Sequence, residues 1–288
     1  MTIHEARERL LFRLYEIYDE REAQSIADWV MEDITGWQKI DRILNKKVKL
    51  SQPQLDKIDG FTTQLMAHKP VHYILHQAWF MGIKLYVDEN VLIPRPETEE
   101  LVTWAVETSG EWGVASGKMY NILDVGTGSG CIPIALKKKL PAAKVTACDI
   151  SEGALKVAAR NAEEQGVEIE LVRVDFLNTQ ERDKLPMFDI IVSNPPYIAA
   201  QEQSEIDKHV VEYEPHTALF VPDDDSLIFY EQLAQFGLTH LNAGGFMMME
   251  IHYLKGEAVK NLFELQGYIV EVRQDMQGKD RMVKAVVI

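Results

Sequence analysis

The chain has 288 residues, of which 46% are hydrophobic and 26% charged, and its 30 Lys+Arg against 45 Asp+Glu leave a net charge of −15. This is ordinary globular usage, long enough for one large domain or two smaller ones with a core that needs no disulfides. It excludes a disordered chain, a collagen and a coiled coil, and it counts against a protein that grips duplex nucleic acid by its phosphates.

The acidity is uneven. Residues 1–70 carry 11 Lys+Arg and 12 Asp+Glu, net −1, while the remainder is net −14. Such asymmetry is a first sign of two domains. The two cysteines, Cys131 and Cys148, form no CxxC pair, so neither a zinc site nor a redox dithiol is expected, and no metal is assigned. The charged start Met1–Arg9 does not read as a signal peptide. No apolar run approaches the ~18 residues of a membrane span. The expected location is the cytoplasm.

In chain order, Ile3, Ala6, Leu10, Leu14 and Ile17 recur at helical spacing, and Ala23, Ile26, Ala27, Val30, Met31 and Ile34 repeat the pattern up to a capping Gly36. A short third helix ends near Leu44 and Val48. Ser51 followed by Pro53 begins a fourth, with Leu55, Ile58, Phe61 and Leu65 on one face. Residues 1–70 therefore predict a small helical bundle. Pro70 breaks it, and residues 71–93 read as β, with a hairpin turning at Gly82.

From Glu97 the pattern alternates helix and strand. Strands are expected at Tyr120–Val125, Lys144–Ile150, Ile169–Val174, Asp189–Ser193 and Phe246–Ile251, with helices between them, and two antiparallel strands, Ile269–Arg273 and Met282–Ile288, close the chain. This predicts an α/β fold: a seven-stranded, mostly parallel, Rossmann-like sheet covered on both faces. The expected domains are residues 1–70, a β-hairpin linker at 71–96, and 97–288.

The sharpest local signal is Asp124-Val125-Gly126-Thr127-Gly128-Ser129-Gly130, between a strand and a helix. Glycines there let the backbone turn tightly and approach a ligand. The dinucleotide fingerprint G-x-G-x-x-G is not met, because the third glycine comes one residue early and Cys131 takes its place. The G-x-G-x-G form suits a nucleoside ligand without a pyrophosphate, such as S-adenosylmethionine. Asp149 ends the second strand, 19 positions after Gly130, where a carboxylate can accept both ribose hydroxyls. Asp175 ends the third and could accept from an adenine amino group, with Phe176 either covering the ring or packing in the core. Asp124, Asp149 and Asp175 converge on the carboxyl edge of the sheet, where open α/β sheets bind ligands.

The fourth strand delivers Asn194-Pro195-Pro196-Tyr197. Two prolines stiffen the segment and remove N–H donors. What remains is a pair of acceptors, the Asn194 side-chain oxygen and the Pro195 carbonyl, and the flat face of Tyr197. Such a set fits a planar –NH2 group, an amide or an adenine amino nitrogen, held for attack on a methyl carbon by positioning alone.

With these segments on the page, the chain closely resembles the PrmC/HemK family of protein-(glutamine-N5) methyltransferases over nearly its whole length. The resemblance includes Val91-Leu92-Ile93-Pro94-Arg95-Pro96-Glu97-Thr98-Glu99, the Gly126–Gly130 loop, Asn194–Tyr197, Glu212-Tyr213-Glu214-Pro215 and Asp280-Arg281-Met282-Val283. It implies a class I S-adenosylmethionine-dependent enzyme that methylates the glutamine of the Gly-Gly-Gln motif in class 1 peptide chain release factors. It implies a cofactor site at Asp124, Gly126, Thr127, Gly128, Ser129, Gly130, Asp149, Asp175, Phe176 and Asn194. The target glutamine falls to Asn194, Pro195, Pro196 and Tyr197, with Arg95 and Pro96 beside it. Release-factor contact falls to the N-terminal bundle, and the expected state is a monomer with no DNA and no membrane partner. His76, His252 and Lys255 stand where the family tends to have Gly, Gly and Gln.

The main rival is an N6-adenine methyltransferase acting on DNA or RNA, which shares Asn-Pro-Pro-Tyr but needs a phosphate-gripping surface for a flipped base. A non-catalytic module would show a broken motif, and a dehydrogenase would show the other glycine spacing. His68, His72 and His76 recur every four residues, but Pro70 interrupts any common helix face. Asp223-Asp224-Asp225 reads as a loop and helix start, and Lys39, Arg42, Lys46, Lys47 and Lys49 as a solvated face.

Overall fold

The computed structural model describes residues 1–111 and 119–287. Contacts divide the chain into two compact units. The first comprises Met1–His76 and Lys208–Tyr213; the second comprises Gln77–Asp207 and Glu214–Ile288.

The first unit begins with α1 (Ile3–Leu14), α2 (Glu20–Thr35), α3 (Lys39–Leu44), α4 (Gln52–Met66) and α5 (Val71–Leu75). Capping chemistry sets the boundaries. Thr2 and Glu5 form a capping box on α1, Ser51 and Gln54 form another on α4, and Gly36 ends α2 at φ 67°. The expected stripes are the core: Ile3, Ala6, Leu10 and Leu14 pack with Ala23, Ile26, Ala27, Val30, Met31, Ile34, Ile58 and Leu65.

Two expectations need correction. The β reading of residues 71–93 began too early, because Pro70 caps the short helix α5, which buries Val71, Tyr73 and Ile74. β-branched and aromatic residues there serve a buried helical turn. Arg42 is also no part of a solvated face: it is 5% exposed, donates to the Trp37 carbonyl at 2.6 Å and lies 3.4 Å from Asp28. His76 closes α5 in the left-handed region, at φ 52°, a conformation that glycine adopts more easily.

The second unit opens with the hairpin β1 (Ala78–Phe80) and β2 (Ile83–Leu85), followed by α6 (Pro96–Glu111). Then come β3 (Asn121–Val125), α7 (Cys131–Lys139), β4 (Lys144–Asp149), α8 (Glu152–Glu164), β5 (Glu170–Arg173), α9 (Thr179–Arg182), β6 (Phe188–Ser193) and β7 (Ile198–Ala199). α10 (Lys208–Tyr213) belongs to the first unit, where the Tyr213 hydroxyl donates to the Ala67 carbonyl at 2.7 Å. The second unit resumes with α11 (His216–Leu219), β8 (Phe220–Val221), α12 (Ile228–His240), β9 (Leu241–Glu250), α13 (Gly256–Leu265), β10 (Tyr268–Gln274) and β11 (Asp280–Val287).

Among the described residues, seven strands form one sheet in the order β10-β11-β9-β6-β3-β4-β5. The β9-β6-β3-β4-β5 pairs are parallel, and β11 runs antiparallel to both β9 and β10. Both faces are covered, as a parallel sheet requires. Ile122, Ile190, Val192, Phe246 and Met248 pack with Leu101, Trp104 and Ile134 of α6 and α7. Leu123, Val125, Ile191, Met247 and Met249 face the other way, with Tyr230, Leu233 and Phe263 of α12 and α13. Successive strands leave β3 in opposite directions, to β4 and to β6. That reversal opens a crevice at the carboxyl ends of β3 and β6.

Candidate active site

The loop after β3 is drawn across the end of β4: the Gly126 and Thr127 N–H groups donate to the Cys148 carbonyl at 2.9 and 3.0 Å. Gly126, Gly128 and Gly130 all have positive φ, at 75°, 52° and 79°. At Gly130 the need for glycine is also one of space, since a Cβ would lie 3.1 Å from the Ala158 Cβ and 3.2 Å from its Cα. The tight turn therefore lets α8 pack directly against the loop.

This loop holds a concentration of buried polar atoms. Asp124 is fully buried, and no hydrogen bond of ordinary geometry reaches either carboxylate oxygen, the Thr127 hydroxyl or the Ser129 hydroxyl. Burial pushes the Asp124 carboxyl up to about 7, against the pull of the Thr127 hydroxyl beside it and with the nearby Asp149 adding to the rise. Leaving such groups unpaired costs roughly 1–3 kcal/mol each, so they fit a ligand that brings its own donors and acceptors. The amino acid end of S-adenosylmethionine, with its ammonium and carboxylate, is of that kind.

Asp149 ends β4. Its two oxygens accept from the Gly128 and Ser151 N–H groups, each at 2.9 Å, and burial raises its carboxyl above the usual range. Both oxygens keep further lone pairs for a diol. Asp175 and Phe176 follow β5. One oxygen of Asp175 accepts from the Leu177 N–H at 3.0 Å, as in a local turn. The Phe176 ring is 5% exposed and meets Phe236 edge-on at 5.2 Å, in the core between the sheet and α12. These contacts give Phe176 a core-packing role, and covering the adenine stays its expected second role.

Asn194 continues β6. Ser193 is in register with Val125, and a Cβ on Gly126 would lie 4.0 Å from the Asn194 carbonyl, so the Asn-Pro-Pro-Tyr segment and the glycine loop adjoin. The Asn194 Nδ2 donates to the Thr98 hydroxyl at 3.0 Å, and that hydroxyl donates to Glu250 Oε2 at 2.7 Å. The Tyr197 hydroxyl donates to Glu250 Oε1 at 3.1 Å. Burial, reinforced by the Glu250 charge, pushes the Tyr197 phenol well above its ordinary value, so it stays a neutral donor. Arg95 pairs with Glu214 at 2.6 Å, and the Glu214 side chain, fully buried, also accepts from the Ile93 N–H at 3.2 Å. Pro96 opens α6 two residues before Thr98.

Thr98, Glu214 and Glu250 lay inside segments that the sequence singled out, but no role was drawn from them. For Glu250 a signal existed: an acid closing the apolar run Phe246-Met247-Met248-Met249, at a strand's carboxyl end like Asp124 and Asp149. Thr98 offered no such mark, because a threonine in a first helical turn is commonplace.

The strand order, the single antiparallel strand and the glycine loop at the reversal point define a class I methyltransferase domain. Comparison with known proteins agrees. Residues 114–216 match the methyltransferase small domain, and residues 5–75 match the PrmC N-terminal domain. The release factor glutamine methyltransferase of Flavobacterium psychrophilum is 41% identical over 285 residues, 99% of each chain. That of Bacteroides thetaiotaomicron is 37% identical, covering 94% of this chain and 95% of its own. The solved N-terminal domain of human METTL16 in complex with SAH has a TM-score of 0.52 and 16% identity, over 96% of this chain and 93% of that one, and shows the shared fold. The chain belongs to the family of release factor glutamine methyltransferases.

Proposed function

We propose that the protein transfers a methyl group from S-adenosylmethionine to the side-chain amide nitrogen of the glutamine in the Gly-Gly-Gln motif of class 1 release factors. The observation that carries this reading is the Asn194–Tyr197 segment, stiffened by two prolines, beside the Gly126–Gly130 loop. An amide nitrogen is a weak nucleophile because its lone pair is delocalised into the carbonyl. The Asn194 Oδ1 and the Pro195 carbonyl hold its two protons and leave its remaining direction free. S-adenosylmethionine, held by Asp124, the Gly126–Gly130 loop and Asp149, with Asp175, Phe176 and Asn194 as its further expected contacts, supplies an electrophilic methyl carbon on a sulfonium. The nitrogen electron pair forms the new N–C bond as the S–C bond breaks toward sulfur, and the methylated nitrogen then loses a proton to water. Positioning accounts for the catalysis, with reacting atoms brought to ~3–3.5 Å.

The helical unit is the docking surface for the release factor, and Arg95 and Pro96 lie on the substrate side. The Arg95–Glu214 pair then serves to hold the segment that leads into α6. No helix among the described residues is long and apolar enough to cross a membrane. The proposed setting is the cytoplasm, where release factors act, with the protein working as a monomer.

Labelled methyl transfer tests this reading. A purified release factor, its Gly-Gly-Gln→Gly-Gly-Ala variant, DNA and rRNA are offered in parallel. Label on the intact factor alone is expected. Label on nucleic acid would mean that Asn194–Tyr197 receives adenine, and the reading would be wrong.

A further inference from the structure

We propose that the Glu250 carboxylate, acting through the Thr98 hydroxyl, decides which end of the Asn194 side-chain amide faces the substrate. The inference rests on the reading above, in which the Asn194 Oδ1 accepts a proton of the target amide.

An asparagine side chain is nearly symmetric in shape, and rotating it by half a turn exchanges an acceptor for two donors. Facing a substrate –NH2, the wrong end sets donor against donor. The network removes the ambiguity. Glu250 takes two donors at once, the Thr98 hydroxyl at 2.7 Å and the Tyr197 hydroxyl at 3.1 Å. The one proton of Thr98 is thereby spent, so its oxygen can only accept, and the Asn194 Nδ2 fills that place at 3.0 Å. The Asn194 Oδ1 is left for the substrate. Glu250 is fully buried on β9, and Thr98 is buried in the first turn of α6. Glu250 and Thr98 are thus positioning residues, since neither has to touch the substrate.

The arrangement works only while Glu250 is ionised. A proton on Oε2 would donate to Thr98 and release the Thr98 proton toward Asn194, favouring the reversed amide. Burial raises the Glu250 carboxyl above the usual range, against the pull of Thr98, Tyr197 and Arg281 of β11, and with an added push from Glu97 of α6. The other groups facing it stay neutral. Tyr230 of α12 donates to the Glu250 backbone carbonyl at 3.2 Å, and burial pushes the Cys131 thiol of α7 up to about 12. Turnover at saturating S-adenosylmethionine should therefore fall on the acid side at a higher pH than an exposed glutamate would give.

The test measures kcat against pH, at saturating S-adenosylmethionine and release factor, for the wild type, Thr98→Ser, Thr98→Val, Glu250→Gln and Asn194→Ala, with S-adenosylmethionine affinity and thermal melting measured on each. Thr98→Val and Glu250→Gln are expected to lose ~10-fold or more in kcat, to keep their S-adenosylmethionine affinity and to lose the acid limb. Thr98→Ser should recover both turnover and limb. Wild-type kcat in Thr98→Val, or an unchanged acid limb in Glu250→Gln, overturns the proposal. Should Thr98→Val fail to fold, Glu250→Gln and Thr98→Ser decide alone. Full turnover in Asn194→Ala would sink the amide-holding reading itself, whereas an inactive Asn194→Ala beside a fully active Thr98→Val sinks only the relay.

Discussion

On the β3 side of the crevice, Asp124, Thr127 and Ser129 carry buried oxygens that no hydrogen bond of ordinary geometry reaches, while on the β6 side Asn194, Thr98, Tyr197 and Glu250 satisfy one another. The first side is built to be completed by a ligand that brings charge and donors of its own. The second is wired before any substrate arrives. The difference matches the two tasks. A cofactor that dissociates after each turnover can supply binding energy by pairing with groups that are costly to leave bare. A weakly nucleophilic amide supplies little, so its receptor must be held in place by the protein.

The largest effect should come from the wired side. Asn194→Ala is expected to lower kcat by ~10²-fold or more and to raise the S-adenosylmethionine dissociation constant, read by calorimetry, by a far smaller factor, since Asn194 is one of several expected cofactor contacts. A matching loss of cofactor affinity would blur the division between the two sides.

Gly130→Ala should act in the opposite sense. Its φ of 79° disfavours any side chain, and the 3.1 Å approach to Ala158 would press a Cβ against α8, so strain of ~1–2 kcal/mol or more is expected. The loop is then pushed off α8, and cofactor affinity should fall more than kcat at saturation. Equilibrium binding and steady-state kinetics on one variant check both halves.

A third effect concerns stability and is read without turnover. The Asp124 carboxyl titrates near 7 when folded, against 3.8 for the free group. The native state thus binds more protons than the unfolded chain between about pH 4 and 7, and stability falls as pH rises through that window. Cofactor-free protein should accordingly melt at a lower temperature at pH 8 than at pH 5 through this group. Asp124→Asn should flatten that slope and raise the melting temperature at pH 8, yet weaken S-adenosylmethionine binding. A variant that binds the cofactor as tightly as the wild type would contradict the assignment of Asp124 to the ligand side.

What the sequence revealed follows from how local each signal is. The glycine loop, the strand-end acids and Asn194–Tyr197 each lie within a few residues, so spacing exposed them. The Thr98–Glu250 bond joins residues 152 positions apart and could be seen only once α6 and β9 were placed. β9 shows the same limit at smaller scale. Its start was expected at Phe246, yet the strand begins at Leu241. A register shift opposite Phe188 and Ile190 absorbs the extra residues. Gly244, at φ 75°, and Gly245, where a Cβ would lie 2.7 Å from the Asp189 carbonyl, make that bulge feasible. α10 was likewise beyond reach, since six residues late in the chain belong with a unit made by the first 76.

The most direct measurement of the central claim is peptide mapping by mass spectrometry of a release factor incubated with the enzyme and S-adenosylmethionine. The account predicts one added methyl on the side-chain nitrogen of the Gly-Gly-Gln glutamine, and none when Asn194→Ala replaces the wild type. A methyl on any other residue, or an unmodified factor beside methylated adenine in added nucleic acid, would contradict it.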